Sequence, residues 1–143
     1  MADIHHQLPI KASREKVFQM IATPGGLDVW WTKECAGQPV EGAEYKLGFG
    51  PPYDWRAVVS RCVPDREFEL VLTRSDADWD GTRVGFTLEE RDGVTQLHFS
   101  HTGWSELNEH FRVSSCCWAA YLRLLRRNLE YGEFVPYEDR LDA

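Results

Sequence analysis

No Cys-x-x-Cys pair occurs in this sequence. The spacing of its four cysteines, Cys35, Cys62, Cys116 and Cys117, reads neither as a disulfide framework nor as a zinc site. Cys116 and Cys117 are adjacent on a helical stretch, where neighbouring side chains diverge by about 100°. No apolar run approaches the roughly 20 residues of a membrane span, and the opening MADIHHQLPI is too polar for a signal peptide. A basic stripe is also lacking. The net charge is −7, and the one basic cluster is Arg123, Arg126 and Arg127. This excludes nucleic acid as a partner, because phosphate contacts need clustered Lys and Arg. No GxSxG surrounds Ser114 or Ser115. His5 and His6 point to opposite sides of a strand, and no further His, Cys or Asp stands at ligand spacing, so neither a metal nor a cofactor is expected. There is no repeat, low-complexity segment or internal linker. A reduced, cytoplasmic protein with one domain over residues 1–143 is the expectation.

Apolar and aromatic surface, by contrast, is plentiful. The hydrophobic fraction is 43%, the aromatic fraction 13%, and there are six Trp. That is a chain able to bury a core. Indoles are costly to bury without an acceptor for their N–H, so the Trp count points to an aromatic-lined cavity beside the packed core.

The organising stretch is Phe111 to Tyr131, FRVSSCCWAAYLRLLRRNLEY, free of Pro and Gly and rich in good helix formers. At about 100° per residue, Phe111, Ser114, Cys117, Trp118, Tyr121, Leu122, Leu125 and Leu129 share one side, widened by Val113, Ala120 and Leu124. Arg112, Arg123, Arg126, Arg127 and Glu130 take the other, and Gly132 supplies a stop. So wide an apolar face needs a wrapper, and the preceding residues supply one. Ile4, His6, Leu8 and Ile10 alternate as a strand that Pro9 confines to an edge. Ser13 reads as an N-cap for a short helix carrying Val17, Phe18, Ile21 and Ala22. Thr23-Pro24-Gly25-Gly26 ends it, and Leu27–Thr32 is a second short helix or turn. Strands follow over Glu44–Phe49, Trp55–Cys62, Phe68–Leu72, Val84–Leu88 and Thr95–His101, with Asp92-Gly93 as a hairpin turn. Thr102-Gly103-Trp104 then leads into a polar linker. Hairpin spacing implies an antiparallel sheet, and the long helix must lie across it.

In this order, TPGGLDVWW, CVPDREFELVLT and TRVGFTLEERDGVTQLHFSHTGW resemble the SRPBCC superfamily, which includes START lipid-transfer domains, birch-pollen-allergen-like proteins and polyketide cyclases. The likeness runs from about Ile4 to Tyr131. Within the superfamily the chain is most similar to the branch named for the C-terminal domain of the activator of the heat-shock-protein-90 ATPase. The resemblance implies an α+β helix-grip (START-like) fold, with a curved antiparallel sheet of six to seven strands around the C-terminal helix and two short N-terminal helices. It also implies a deep apolar cavity between sheet and helix. It brings no fixed catalytic motif, because fold does not set activity. The eukaryotic co-chaperone carries a separate N-terminal domain that 143 residues leave no room for.

Strand parity then names the expected cavity wall: Ala57, Val59, Phe68, Leu70, Leu72, Val84, Phe86, Leu88, Leu97 and Phe99 on the sheet. Trp118, Tyr121, Leu122 and Leu125 face them from the helix. Trp30 or Trp31 closes the lid, Trp55 opens a strand beside a Gly/Pro loop, and Trp104 stands in a loop, where binding residues concentrate. Tyr53 and Trp79 share that loop placement. His101 shares the inward face with Leu97 and Phe99 and lies near the mouth, where it would bond a ligand or move a proton. The first expectation is therefore non-catalytic binding of a small hydrophobic molecule of unspecified identity. A cyclase or hydrolase using His101 as acid/base is the second. A protein-interaction module stimulating a heat-shock-protein-90-type ATPase is the third, and homodimer formation is left open.

Overall fold

The structure, a computed structural model, describes residues 2–142. Seven strands form one antiparallel sheet: β1 (Ala2–Ile10), β2 (Glu34–Ala36), β3 (Glu44–Gly48), β4 (Trp55–Val63), β5 (Glu67–Arg74), β6 (Arg83–Arg91) and β7 (Val94–Trp104). Their spatial order is β1-β7-β6-β5-β4-β3-β2, so the first strand closes against the last. Two short helices, α1 (Arg14–Ala22) and α2 (Pro24–Trp30), cross between β1 and β2. The long helix α3 (Glu109–Tyr131) lies across the concave face, and a 3-10 turn over Tyr137–Asp142 follows it. This is the α+β helix-grip fold expected from the sequence.

Local chemistry accounts for most boundaries. Ser13 caps α1, its Oγ accepting from Lys16 N at 3.3 Å. Pro9 sits on the edge strand β1, where a missing N–H costs least. Asp92 and Gly93, at φ 54° and 78°, make the tight turn joining β6 to β7. Gly132 takes the left-handed conformation (φ 71°) that ends α3.

Four boundaries depart from the sequence reading. Thr23-Pro24-Gly25-Gly26 does not simply break the chain: Thr23 ends α1 and also caps α2, its Oγ1 accepting from Gly26 N at 3.0 Å, and Pro24 opens the second helix. Strand β2 went unseen, since three residues are too short to show a period. β7 runs on through Thr102 and Gly103 to Trp104, so Trp104 belongs to a strand and not a linker. Helix α3 begins two residues earlier than Phe111, capped by Asn108, whose Oδ1 accepts from Phe111 N at 2.9 Å. Val113, placed on the buried side of α3, is 52% exposed.

The middle of the sheet–helix gap is filled. Val59, Phe68, Leu70, Phe86, Phe99, Leu122 and Leu125 are each at most 2% exposed. Phe86 meets Phe99 edge-on at 5.4 Å between ring centroids, and Phe99 meets Trp118 at 4.5 Å. Burying a side chain of this size contributes roughly 1.5–3 kcal/mol, which makes this the stabilising half of the interior.

Candidate functional site

The gap stays open at one end. A cleft of about 380 Å³ lies between the first half of α3 and the loop ends of β3, β4 and β5. Helix α3 contributes one stripe, His110, Val113, Ser114, Cys117, Trp118 and Tyr121. Trp31 comes from the end of α2, Phe49, Tyr53 and Trp55 from the β3–β4 connection, Asp76 and Trp79 from the β5–β6 loop, and Tyr137 from the C-terminal turn. The aromatic rings interlock: Trp31 to Trp118 at 4.9 Å, Trp31 to Phe49 at 5.7 Å, Phe49 to Trp55 at 5.3 Å and Trp55 to Trp79 at 5.2 Å. Trp79 stacks on Trp118 at 5.8 Å and 21°. The volume is at the lower end of the roughly 300–1,000 Å³ of small-molecule sites, which suits a compact ring system better than a long acyl chain.

A larger concavity lies elsewhere, a groove of about 720 Å³ lined by Gln7, Arg14, Arg66, Glu89, Arg91 and His98 among others. It lies mainly along the outer face of the sheet, its walls carry charges of both signs, and it lacks the apolar lining that makes a ligand site.

Beneath the aromatic cleft runs a buried polar relay. Trp118 Nε1–H donates to His101 Nδ1 at 3.1 Å, which fixes the proton of the neutral imidazole on Nε2. That N–H donates to Thr82 Oγ1 at 2.8 Å, and the Thr82 hydroxyl donates to the Trp79 carbonyl at 2.6 Å. Every polar atom of the relay is satisfied, as a dry interior requires. His101 is 0% exposed, and burial, with a minor contribution from the His110 charge, pulls its pKa from 6.5 down to about 3. His101 therefore stands behind the cleft wall and not at a mouth, and neither ring nitrogen is free to exchange a proton with a ligand.

The lip of the cleft is different. Asp76 Oδ1 accepts from Asp78 N at 3.0 Å and from Trp79 N at 2.8 Å, a turn that swings the Trp79 ring inward. His110 Nδ1 donates to Asp78 Oδ2 at 2.8 Å, and its Nε2 lies 3.7 Å from Asp76 Oδ2. No nucleophile is activated here. Burial, seconded by Cys116, pushes the Cys117 thiol up, and burial also pushes the Tyr121 phenol up to about 12. Ser114 Oγ accepts from Trp79 Nε1 at 3.4 Å.

The C-terminal turn closes the far end. Arg140, 2% exposed, donates to the carbonyls of Val135, Thr32 and Asp28 at 3.1, 3.0 and 2.6 Å, with its guanidinium 5.5 Å from the Tyr137 ring centroid.

Of the residues expected from sequence to line a cavity, Trp31, Trp55, Trp118 and Tyr121 border this cleft. Trp30 is wholly buried, its indole N–H bonded to Met20 O at 2.9 Å. Val59, Phe68, Leu70, Phe86, Phe99, Leu122 and Leu125 belong to the filled half. Trp104, 1% exposed, packs behind the wall against His101 at 4.9 Å and Phe111 at 5.3 Å. Asp54 and Arg56 pair at 3.1 Å on the surface, and Arg56 also bonds Glu44. Phe49, Asp76, His110 and Tyr137 were missed. His110 was findable, because the stripe Ser114, Cys117, Trp118, Tyr121 extended back one turn reaches it.

Among the described residues no helix is long and apolar enough to cross a membrane, and no group of three or more His, Cys, Asp or Glu could hold a metal ion. No curated protein matches the sequence. Among solved structures, the Aha1 dimer from Colwellia psychrerythraea superposes with a TM-score of 0.83 at 30% identity, over 93% of this chain and 99% of that one. CalU16 from Micromonospora echinospora (TM-score 0.76, 20% identity, 96% and 83% of the two chains) shares the fold. So does protein SSP2350 from Staphylococcus saprophyticus (0.78, 16%, 94% and 96%). A family model described as Activator of Hsp90 ATPase homolog 1-like protein matches residues 11–130. That span runs from just after β1 to the last turn of α3 and takes in every residue of the cleft lining except Tyr137, so the chain belongs to the Activator of Hsp90 ATPase homolog 1-like family.

Proposed function

We propose that this protein binds a small, ring-containing hydrophobic molecule in the aromatic cleft and performs no chemistry on it. The observation that carries the reading is the cleft itself: about 380 Å³ left open among interlocked Trp, Tyr and Phe rings, in an interior that is otherwise filled. Leaving such rings without partners on one side forfeits dispersion and hydrophobic free energy, which a ligand of matching shape restores. The engaged nitrogens of His101 and the raised Cys117 thiol weigh against acid/base or nucleophilic catalysis.

The test is a thermal-shift screen with compact aromatic and polycyclic compounds, since binding to the native state raises the melting temperature. The control is Val113→Trp, placed at an exposed lining position where a larger side chain blocks the mouth without disturbing the core. Shifts that vanish in Val113→Trp support the site. A full panel without any shift removes the reading.

A second reading follows from the relatives. The Colwellia structure is of an Aha1 dimer, and the family takes its name from an activator of the Hsp90 ATPase. Self-association and stimulation of an Hsp90-type ATPase are the corresponding proposals here. Light scattering after size exclusion tests the first and a coupled ATPase assay the second. A monomer at all concentrations, or an unchanged ATPase rate, disposes of each in turn.

A further inference from the structure

We infer that the ligand of the cleft is a cation, a protonated aromatic amine whose ring system lies among the indoles and whose ammonium group is held by Asp76. The inference rests on the binding role proposed above and adds the charge of the ligand to it.

Three observations converge. First, the polar lip offers hydrogen-bond acceptors. Carboxylates only accept, so the His110 nitrogen facing Asp78 Oδ2 at 2.8 Å must be the N–H. The other ring nitrogen, Nε2, is turned toward Asp76. Asp76 Oδ1 is occupied by two backbone N–H groups, which leaves Oδ2 free, 3.7 Å from that nitrogen. A ligand arriving here meets the Asp76 carboxylate and has to bring the donor.

Second, the lining is asymmetric in charge. Asp76 is its one carboxylate, and neither Lys nor Arg contributes to it. Lys33 and Arg140 lie beside Tyr137, 5.9 and 5.5 Å from its ring centroid, but outside the lining. Arg140 is already spent on three backbone carbonyls. An anionic ligand would face the Asp76 carboxylate with no Lys or Arg in the lining to receive it.

Third, the walls are the surfaces that attract a cation. Indole and phenol faces carry negative quadrupole charge, and Trp is the strongest of them. Trp31, Trp55, Trp79 and Trp118 bring four indoles within one cleft.

The discriminating experiment compares three probes sharing one ring system: 1-naphthylmethylamine, 1-naphthalenemethanol and 1-naphthoate, titrated calorimetrically at neutral pH. Asp76 is 39% exposed, so its field is partly screened. The amine is then expected to bind about tenfold more tightly than the alcohol, and the naphthoate most weakly. Asp76→Asn keeps the turn-capping oxygen and should remove most of the amine's advantage. On the unmutated protein, raising salt should weaken the amine more than the alcohol. If the alcohol or the naphthoate binds as well as the amine, or the amine's advantage survives both Asp76→Asn and salt, the charge assignment is overturned and the cleft remains a ligand site. If amine binding persists in Val113→Trp, it occurs outside the cleft and the assignment is equally overturned. If none of the three probes binds, the assignment falls, and the thermal-shift panel separately decides the site.

Discussion

Removing the titration of His101 is expected to make the fold resistant to mild acid. His101 is wholly buried, and its pKa lies at about 3 in the folded protein against 6.5 when exposed. Between those two values the unfolded chain binds a proton that the folded one excludes. Stability is therefore fully present above pH 6.5 and is lost as pH falls toward 3, by about 1.4 kcal/mol per unit. Going from about pH 7 to about pH 5 removes about 2 kcal/mol through this one group, a sizeable share of the roughly 5–15 kcal/mol by which domains are stable. His101→Gln is the matching perturbation. Its amide oxygen can accept from Trp118 and its amide N–H can donate to Thr82, so the relay survives without the titration. Urea unfolding of both proteins at the two pH values gives the answer. All other groups are common to the two proteins, so their contributions cancel in the difference. Parallel loss of stability in the two proteins would refute the reasoning, as would a His101 ring proton whose chemical shift titrates over this pH range in the folded state.

The pair Gly25 and Gly26 should answer oppositely to alanine. A Cβ at Gly25 meets nothing within 4 Å, so Gly25→Ala is expected to gain up to ~1 kcal/mol from helix propensity. A Cβ at Gly26 would press on the Gln19 carbonyl oxygen and lie 2.6 Å from Met20 Cα, so Gly26→Ala should cost more than ~2 kcal/mol by forcing α1 and α2 apart. Thermal melts rank them, and the reverse order would contradict the packing described. Arg140→Ala strips donors from the Thr32, Asp28 and Val135 carbonyls, at about 1–3 kcal/mol. Hydrogen exchange should then quicken over residues 133–142, and unchanged protection there would show that the C-terminal turn is held by other contacts.

The frame was legible because its signals are local. Alternation in Phe68, Leu70 and Leu72, the Asp92-Gly93 turn and the Ser13 cap each need only a few consecutive residues to be read. The cleft was legible only in part, for a physical reason. Parity tells which face of the sheet a side chain joins, but not how far along the strand the helix stops covering it. Phe99 and His101 share a face of β7, yet Phe99 fills the core and His101 lies under the cleft wall. Trp79 sits in a polar loop between Asp78 and Asp80, and only the folded turn around Asp76 shows that its ring points inward. Tyr137 reaches the cleft through Arg140 bonding to carbonyls more than a hundred residues away. No window of sequence contains that.

Trp118 is where fold and site become the same object. One neighbour of its ring is Phe99, in the filled half, at 4.5 Å; another is Trp31, on the cleft, at 4.9 Å; and its N–H anchors the His101 relay. The indole is thus the partition between packed interior and open end. The relay fixes its orientation, because rotation would leave both the indole N–H and His101 Nδ1 buried without partners, at a cost of about 1–3 kcal/mol each. A partition held this firmly makes the cleft a preformed space and not a breathing gap, so the ligand proposed above would pay little to organise it. Selectivity for that proposed ligand would then come from the part that is not locked, the half-exposed Asp76 and His110 at the lip.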